Sequence, residues 1–310
     1  MMSQRRHRHR RLAGLAVLTC LGTFLVWARA NSTQHVPTPG KSSAKRAVLR
    51  VDFLAVGHGD SALITSPTGK TVLIDGGLEE AGATILSFLR GRNACPVDLV
   101  LLTHRHADHL GGLVRIIEAC GARLYLDAPY PHDSAIYAKL LDALESRQVS
   151  VRQAERGRIV DLGDGARLLL LGPPSPFLAE GSGGVNANSV VTRLDYGKGS
   201  VLFAADAEEL AENWLLASGA DLRATVLKVG HHGSRHSSSP QFLHSVLPKI
   251  AVISTEAGDP HHPHVETLQR LAQVGAQVFR TDVDGQVTLG MDGESVTVHS
   301  RTRTEVVATP

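Results

Sequence analysis

Short apolar runs, separated by glycine-rich and polar turns, make up most of the chain after residue 47. The first runs are rich in β-branched and aliphatic side chains and end in turn residues, which predicts strands. These strands are Val48–Val56, Ser61–Ser66, Thr71–Ile74 and Leu99–Leu102. Apolar positions spaced three to four apart predict a helix over Ala81–Arg92.

A second series of strands follows in the same style. It comprises Arg123–Leu126, Arg167–Leu171, Ser189–Tyr196, Ser200–Ala204, Ala224–Val229, Ile250–Ser254 and Gln277–Arg280. Helical spacing occurs at Gly112–Cys120, Ser134–Arg147, Glu208–Ala217, Pro240–Leu247 and Val265–Val274. Two strand-rich halves with interspersed helices predict an α/β domain of two sheets, with helices on the outer faces and polar loops at one edge.

The N-terminal pattern differs from the rest of the chain. Five arginines between residues 5 and 11 precede an apolar stretch from Leu12 to Ala28, and Ala28-Arg29-Ala30 supplies small residues at alternate positions. This layout predicts a signal peptide at residues 1–30, cleaved after Ala30, with an uncleaved membrane anchor as the alternative. Either interpretation places the remaining chain outside the cytoplasm, as a periplasmic or secreted protein or one tethered to the inner membrane.

The composition of the chain after residue 30 predicts a linker, a domain and a tail. Residues 31–46 are rich in Ser, Thr, Pro and Lys and predict a flexible linker, followed by a domain at 47–300 and a tail at 301–310. Removing residues 1–30 removes six arginines and no acid, so 32 − 6 = 26 basic residues face 30 acidic ones, a net charge of −4. Net charge therefore gives no support for tight nucleic-acid binding, and no dedicated DNA-binding module is visible.

Cys95 and Cys120 remain after the signal is removed. An even cysteine count outside the cytoplasm is compatible with a disulfide, and two buried free thiols are an equal alternative. Neither cysteine has the spacing of a metal ligand, so neither receives a catalytic role.

The strongest chemical signal is a cluster of imidazole and carboxylate groups at a strand end. His104, His106, Asp108 and His109 follow an apolar strand and precede Gly111-Gly112 and a helix. Neutral imidazole and carboxylate are ligands that divalent zinc, iron and manganese accept. Further histidine clusters, His231-His232 and His261-His262-Pro263-His264, follow two later strands, which predicts that several strand ends meet at a metal centre.

The His-x-His-x-Asp-His pattern formed by these four residues resembles the signature of the metallo-β-lactamase superfamily. This resemblance implies a four-layer αβ/βα sandwich and two adjacent metal ions, one held by His104 and His106 and the other by Asp108 and His109. Asp206, at the end of the strand Val201–Ala204, resembles the family's bridging carboxylate, and a helix N-cap is its alternative role.

The later histidine clusters supply the remaining candidate ligands. We assign His231 to the His104/His106 metal and His262 to the Asp108/His109 metal, with His232 and His264 as alternates. The superfamily's usual histidine between the second and fourth motifs is absent, since Asn186-Ala187-Asn188-Ser189 occupies that region, and His231 would fill its place.

Longer stretches narrow the resemblance to one branch. They are Phe53-Leu54-Ala55-Val56-Gly57-His58-Gly59-Asp60, Leu73-Ile74-Asp75-Gly76-Gly77, Leu227-Lys228-Val229-Gly230-His231-His232-Gly233-Ser234 and Arg280-Thr281-Asp282-Val283-Asp284-Gly285. These are similar to the hydrolase domain of ComEC-type DNA-uptake proteins and to a phosphorylcholine esterase acting on teichoic acid. The chain departs from the ComEC-type pattern at Ala55 and His58, where that pattern has Asp and Gln. We expect no multi-span channel here, so the resemblance does not imply a role in pulling DNA across a membrane.

The resemblance implies a binuclear hydrolase with two divalent ions, zinc or alternatively manganese, that share an attacking hydroxide. Its substrate would be a phosphodiester, in DNA or in a cell-envelope polymer. We expect Asp108 to act in catalysis as well as metal binding, and His232 or His264 to protonate the leaving group. The alternatives are a β-lactamase or lactonase and a catalytically silent metal-binding protein.

Four further residues are weighed as supporting groups. Asp60 and Asp75 lie in glycine-rich turns and would either orient ligand histidines or stabilise their own turns. Ser234 and His236 follow the His231 cluster and would line the mouth as phosphate contacts.

Overall fold

The computed structural model describes residues 47–132, 134–178 and 182–309. The predicted signal peptide and linker lie outside the described residues. The strands are β1 Leu49–Phe53, β2 Ala62–Thr65, β3 Thr71–Ile74, β4 Val97–Leu102, β5 Ala122–Asp127, β6 Ser150–Gln153, β7 Ile159–Gly163, β8 Ala166–Leu170, β9 Thr192–Tyr196, β10 Gly199–Phe203, β11 Val226–Lys228, β12 Ile250–Ile253, β13 Gln277–Arg280, β14 Val287–Met291, β15 Ser295–His299 and β16 Thr304–Ala308.

The helices alternate with these strands. They are α1 Gly82–Gly91, α2 Ala107–Leu110, α3 Leu113–Ala119, α4 Ala135–Ser146, α5 Ser182–Ala187, α6 Glu209–Ala217, α7 Pro240–Val246, α8 Val265–Gln273 and α9 Thr281–Asp284, with 3₁₀ turns at Glu79–Ala81 and Gly230–Gly233. Among the described residues, no helix combines the length and apolar composition needed to span a bilayer.

The strands form two sheets. The first sheet has nine strands in the order β16-β15-β14-β1-β2-β3-β4-β5-β6, and the second has seven in the order β13-β12-β11-β10-β9-β8-β7. Strands β3 to β6 are parallel to one another, as are β10 to β13. Parallel strands bring their carboxyl ends to one edge, so the loops after β4, β10, β11 and β12 are the ones that carry chemistry.

Three apolar cores separate four layers. Between the sheets, side chains of both pack together, including Phe53 and Phe203, whose ring centroids are 5.8 Å apart. A second core lies between the first sheet and helices α1, α3 and α4, and a third between the second sheet and helices α6, α7 and α8. The αβ/βα sandwich predicted from the sequence is confirmed.

The C-terminal region departs from the prediction. β14 returns to the first sheet and pairs with β1, so that Leu289 lies opposite Val51, and β15 and β16 extend that edge. The expectation of a tail after residue 300 is wrong for Thr304–Ala308, because this segment finds backbone partners along β15. Its side chains alternate between exposed and partly buried, so the segment lacks the strong apolar pattern of a central strand.

The two cysteines of the domain form a disulfide. Cys95, just before β4, is bonded to Cys120, the residue that follows α3, with their Cα atoms 5.0 Å apart. The bond therefore fastens the loop entering β4 to the end of a helix that packs on the same sheet.

Candidate metal centre

The first group of candidate ligands lies on the turn after β4. His104 Nε2 is 3.1 Å from His106 Nδ1 and 3.5 Å from Asp206 Oδ2. His106 has an extended backbone immediately before α2, and Asp108 and His109 lie within that short helix. The break between extended and helical backbone lets ligands that are close in sequence face one centre from different sides.

Asp206 lies at the middle of the site and is almost completely buried. Its Oδ2 is directed at His104, whereas its Oδ1 is 3.4 Å from His109 Nε2. Asp206 Oδ1 and His109 Nε2 are both buried atoms without a hydrogen-bond partner. Such atoms cost stability unless something satisfies them, and a metal ion would coordinate both at once. The donor set therefore fits divalent metal ions.

Two sets of ligands can be separated around the two oxygens of Asp206. On the Oδ2 side are His104, His106 and His231, whose Nε2 is 3.8 Å from that oxygen. The Oδ1 side holds Asp108, His109 and His232. His232 Nε2 is 3.1 Å from Asp108 Oδ2, which in turn is 3.5 Å from His109 Nε2.

The outer nitrogens of three histidines have partners that fix the orientation of the rings. His109 Nδ1 is 2.9 Å from Asp75 Oδ2, His231 Nδ1 is 2.8 Å from Glu208 Oε1, and His232 Nδ1 is 3.1 Å from the Ser254 carbonyl oxygen. A proton on Nδ1 leaves Nε2 as the acceptor, so each ring presents a lone pair to the centre.

The two turn aspartates occupy different positions behind these ligands. Asp75 accepts hydrogen bonds from the backbone N and the hydroxyl of Thr103, both at 2.8 Å, in addition to facing His109. The buried Lys228 donates to Asp60 Oδ2 at 2.8 Å, and Asp60 Oδ1 is 3.7 Å from His232 Nδ1. Asp75 therefore contacts a candidate ligand directly, whereas Asp60 is paired with Lys228.

The electrostatics of the centre favour cations. Burial acts against charge on Asp206, but His109 and His104 outweigh it and hold the pKa of Asp206 well below its usual range. Burial likewise disfavours a proton on His109, yet the surrounding carboxylates, Asp206 foremost, raise the pKa of His109 well above its ordinary value, so they favour a cation at Nε2, which a metal ion would supply in place of a proton. Burial and the neighbouring His104 lower the pKa of His106 to about 4, so that ring is neutral at neutral pH.

An unusual backbone brings His231 and His232 to the same centre. Both residues have positive φ, 44° and 51°, in the turn after β11. This conformation is uncommon for residues other than glycine. It presents His231 to one oxygen of Asp206 and His232 to the ligands around the other, and the sequence alone gave no sign of it.

Two sequence assignments do not agree with this geometry. His262 is not among the ligands around Asp108 and His109, since a turn through Gly258 places it against Asp259, and His232 takes the position predicted for His262. His264, an alternate ligand and candidate acid, caps the start of α8, where its ring accepts from Glu266 N at 3.4 Å.

Ser234 and His236 lie beside the centre. Ser234 donates to the same Glu208 oxygen that faces His231, at 2.9 Å, and so supports a ligand. His236 lines a cavity of about 400 Å³ together with Asn186, Glu208, Glu209 and Asn213. Glu208 thus connects this cavity directly to the candidate ligand His231.

Sequence reasoning missed several residues in the site and next to it. Glu208 is two positions after Asp206, a spacing that would have justified considering it. The role of Lys228 was not recognised, because a lysine in a strand is usually expected to face solvent. His58 was noticed only as a departure from a family pattern, and Asp259 showed no signal beyond its position in a polar loop.

Comparisons with known proteins agree with the architecture. The metallo-β-lactamase fold protein YhfI from Bacillus subtilis superposes with a TM-score of 0.53 at 11% identity, covering 78% of this chain and 99% of that protein. CmlA, a diiron β-hydroxylase from Streptomyces venezuelae, gives a TM-score of 0.53 at 16% identity, covering 78% of this chain and 54% of that protein. At these identities the likeness concerns the fold alone.

Curated relatives include proteins named for competence and recombination. ComE operon protein 3 of Bacillus subtilis is 27% identical over 76% of this chain and 32% of its own length. Recombination protein 2 of Haemophilus influenzae is 30% identical over 77% of this chain and 28% of its own length. The chain thus spans about a third of the length of these relatives.

The family profile described as the Metallo-beta-lactamase superfamily matches residues 54–257, which include the His104–His109 motif, Asp206 and the His231-His232 turn. This match covers more than half of the chain and includes strands of both sheets. The chain belongs to the metallo-β-lactamase superfamily and is a metal-dependent hydrolase of that fold with ComEC-type competence proteins among its relatives.

Proposed function

We propose that this protein is an exported binuclear phosphodiesterase. The observation that carries the proposal is the division of ligands by Asp206, whose two oxygens face separate histidine sets. Asp206 would hold one ion with each of its oxygens, and a pair of divalent ions would supply the charge stabilisation needed for displacement at phosphorus.

When bound, two divalent ions would make water a stronger nucleophile at neutral pH and neutralise charge on the attacked phosphoryl oxygens. Zinc fits the histidine-rich donor set, with manganese as the alternative. The protein's own contribution is to hold the ligand rings in fixed tautomers through Asp75, Glu208 and the Ser254 carbonyl. Phosphodiesters suit such a centre better than β-lactams do, because their transition state gathers more negative charge.

The cavity beside His231 supports a preference among phosphodiesters. Glu208 and Glu209 lie in its lining with the amides of Asn186 and Asn213. A polyanionic strand laid across two carboxylates would be repelled, whereas one phosphodiester with a neutral or cationic substituent would not. The net charge of −4 calculated for the mature chain adds to this argument. We therefore expect small phosphodiesters to be hydrolysed more readily than DNA.

Export rests on separate support. Residues 1–30 have the basic and apolar pattern of a signal peptide, and the Cys95–Cys120 disulfide suits an oxidising compartment. Expression of the full chain in a bacterium, followed by N-terminal sequencing, should give a periplasmic or secreted product that begins at Asn31. A cytoplasmic product that retains the basic start would contradict export.

The activity is tested on metal-stripped protein reloaded with zinc or manganese. The substrates are bis-nitrophenyl phosphate, nitrophenyl phosphorylcholine, single-stranded DNA and nitrocefin, and Asp206→Asn prepared in parallel controls for contaminating enzymes. We expect metal-dependent hydrolysis of the small phosphodiesters, which the variant lacks. Efficient opening of nitrocefin with every phosphodiester left intact would replace this proposal with a lactamase-type activity.

A further inference from the structure

A second cluster of potential ligands lies beside the metal centre and is not used by it. Asp259 and His262 lie three residues apart in one loop, and His58 lies 201 residues before Asp259, yet the ligand atoms of all three converge. His58 Nδ1 is 3.2 Å from Asp259 Oδ2, and His262 Nδ1 is 3.4 Å from the same oxygen. We infer that these three residues form an additional site for a divalent cation such as zinc, next to the binuclear centre.

The distances match metal coordination. Ligand atoms that surround zinc tetrahedrally at about 2.0–2.1 Å lie about 3.3–3.4 Å from one another. The spacings from Asp259 Oδ2 to the two imidazole nitrogens are close to this value. The longer of them exceeds the usual length of a hydrogen bond from nitrogen to oxygen.

The carboxylate of Asp259 is held ready for such a role. Its Oδ1 accepts hydrogen bonds from the backbone N of His261 at 2.7 Å and of His262 at 3.0 Å. These bonds leave Oδ2 to face the two imidazoles. The hydroxyl of Thr255 donates to the His262 carbonyl at 3.1 Å and fixes the same loop from its other side.

His58 is fixed in its position by the glycine turn that carries it. A Cβ on Gly59 would lie 2.2 Å from the Asp108 carbonyl oxygen, so only glycine permits this approach. Asp60 N donates to that same carbonyl at 3.1 Å. The turn is therefore packed directly on the backbone of a candidate ligand of the main centre.

The two nitrogens of His58 join the additional site to the main centre. While Nδ1 faces Asp259, Nε2 is 3.7 Å from Asp108 Oδ2. A metal-ligating histidine commonly directs its other N–H at a carboxylate. An ion in the additional site would thus be coupled to the binuclear centre through His58 and Asp108.

Exposure and charge define how this site would behave. The side chains of His58 and His262 are 34% and 20% exposed, so an ion can enter and keep water in its remaining coordination position. Only one carboxylate is present, and two cations would lie nearby. Their repulsion makes this site the last to fill and the first to empty.

Metal stoichiometry tests the inference without reference to catalysis. Stripped protein is dialysed to equilibrium against rising free Zn²⁺, and bound metal is counted by elemental analysis. We expect three ions per wild-type chain at saturation and two in Asp259→Asn and in His58→Gln. His261→Gln removes a neighbouring imidazole outside the cluster and should retain three.

Cobalt gives an independent spectroscopic signal. The last equivalent of Co²⁺ added to the wild type should produce visible absorption bands that are missing from both variants. Saturation of the wild type at two ions or fewer, or three ions in both folded variants, would overturn the additional site. Circular dichroism identifies a variant that fails to fold, and the second variant then decides.

The outcome is separable from that of the proposed function. Three ions without any phosphodiester hydrolysis would leave the additional site standing and remove the phosphodiesterase proposal. Two ions with active hydrolysis would remove the additional site and leave the phosphodiesterase proposal standing.

Discussion

The two sheets contribute to the metal centre in different ways. The first sheet supplies His104, His106, Asp108 and His109 from a single turn after β4. The second sheet supplies Asp206 after β10 and the histidine pair after β11, at separate strand ends. One contribution is local in sequence, whereas the other exists only because parallel strands bring distant residues to one edge.

Because of this difference, the residues of the two sheets have different roles in the metal centre. The residues of the first turn are held mainly by the turn itself and by Asp75. Those of the second sheet divide the site, because the two oxygens of Asp206 point to different sets. We therefore expect changes on the second sheet to affect the number of ions, and changes behind the first turn to affect affinity.

Asp206→Asn should have the largest effect. It removes the negative charge of the carboxylate that faces both ligand sets and replaces one of its two oxygens, so elemental analysis after gel filtration should show that both tightly held ions are lost. Hydrolysis should fall by on the order of 10³-fold or more. Asp221→Asn, a change at an exposed aspartate of the same half of the chain, serves as the matched control. Loss of one ion alone would show that Asp206 does not join the two sets.

His232→Gln compared with His262→Gln tests which histidine completes the Asp108/His109 set. The geometry predicts that His232→Gln loses one of the two ions that survive gel filtration and that His262→Gln keeps both, since His232 Nε2 is the one near Asp108. The expected loss of activity for His232→Gln is on the order of 10²-fold. If the two results were exchanged, the assignment made from the sequence would be restored.

The sequence predicted the fold correctly and indicated the local half of the candidate site as one cluster, for a physical reason. Apolar strands and the cluster from His104 to His109 are patterns of neighbouring residues, which can be recognised without knowing the topology. The choice among His231, His232, His262 and His264 depends on backbone turns. Positive φ at His231 and His232, and the turn through Gly258, decide it.

Two of the strands that were missed, β6 and β16, lie at the ends of the first sheet. β6 is exposed at all four positions, and β16 alternates between exposed and partly buried residues. Strands at the ends of a sheet need fewer apolar side chains than central ones, so hydrophobic periodicity is weak there. β14 is well buried but pairs with β1, a partner more than two hundred residues away that only the folded chain reveals.

Asp75→Asn should have an intermediate effect because Asp75 lies behind a ligand. It accepts from Thr103 and faces His109 Nδ1, so an amide in its place would disturb the orientation and basicity of that ring. Loss of such an outer partner typically weakens metal affinity about 10–100-fold. Competition with a metal chelator measures the change, and Asp142→Asn on an exposed face of α4 is the control. Unchanged affinity would mean that Asp75 stabilises its own turn and does not support metal binding by His109.

Loss of the disulfide should have the smallest effect on the site. Cys95 and Cys120 are 25 residues apart and connect the start of β4 to α3, on the first sheet and away from the loops of the second. Closing a loop of this length stabilises a protein by about 3 kcal/mol, mainly by restricting the unfolded chain. A double change of both cysteines to serine should therefore lower the melting temperature by on the order of 5–10 °C. Metal content after gel filtration should remain that of the wild type, because no ligand rests on the bond. A variant that melts like the wild type but loses metal would mean that the disulfide positions the turn that carries His104.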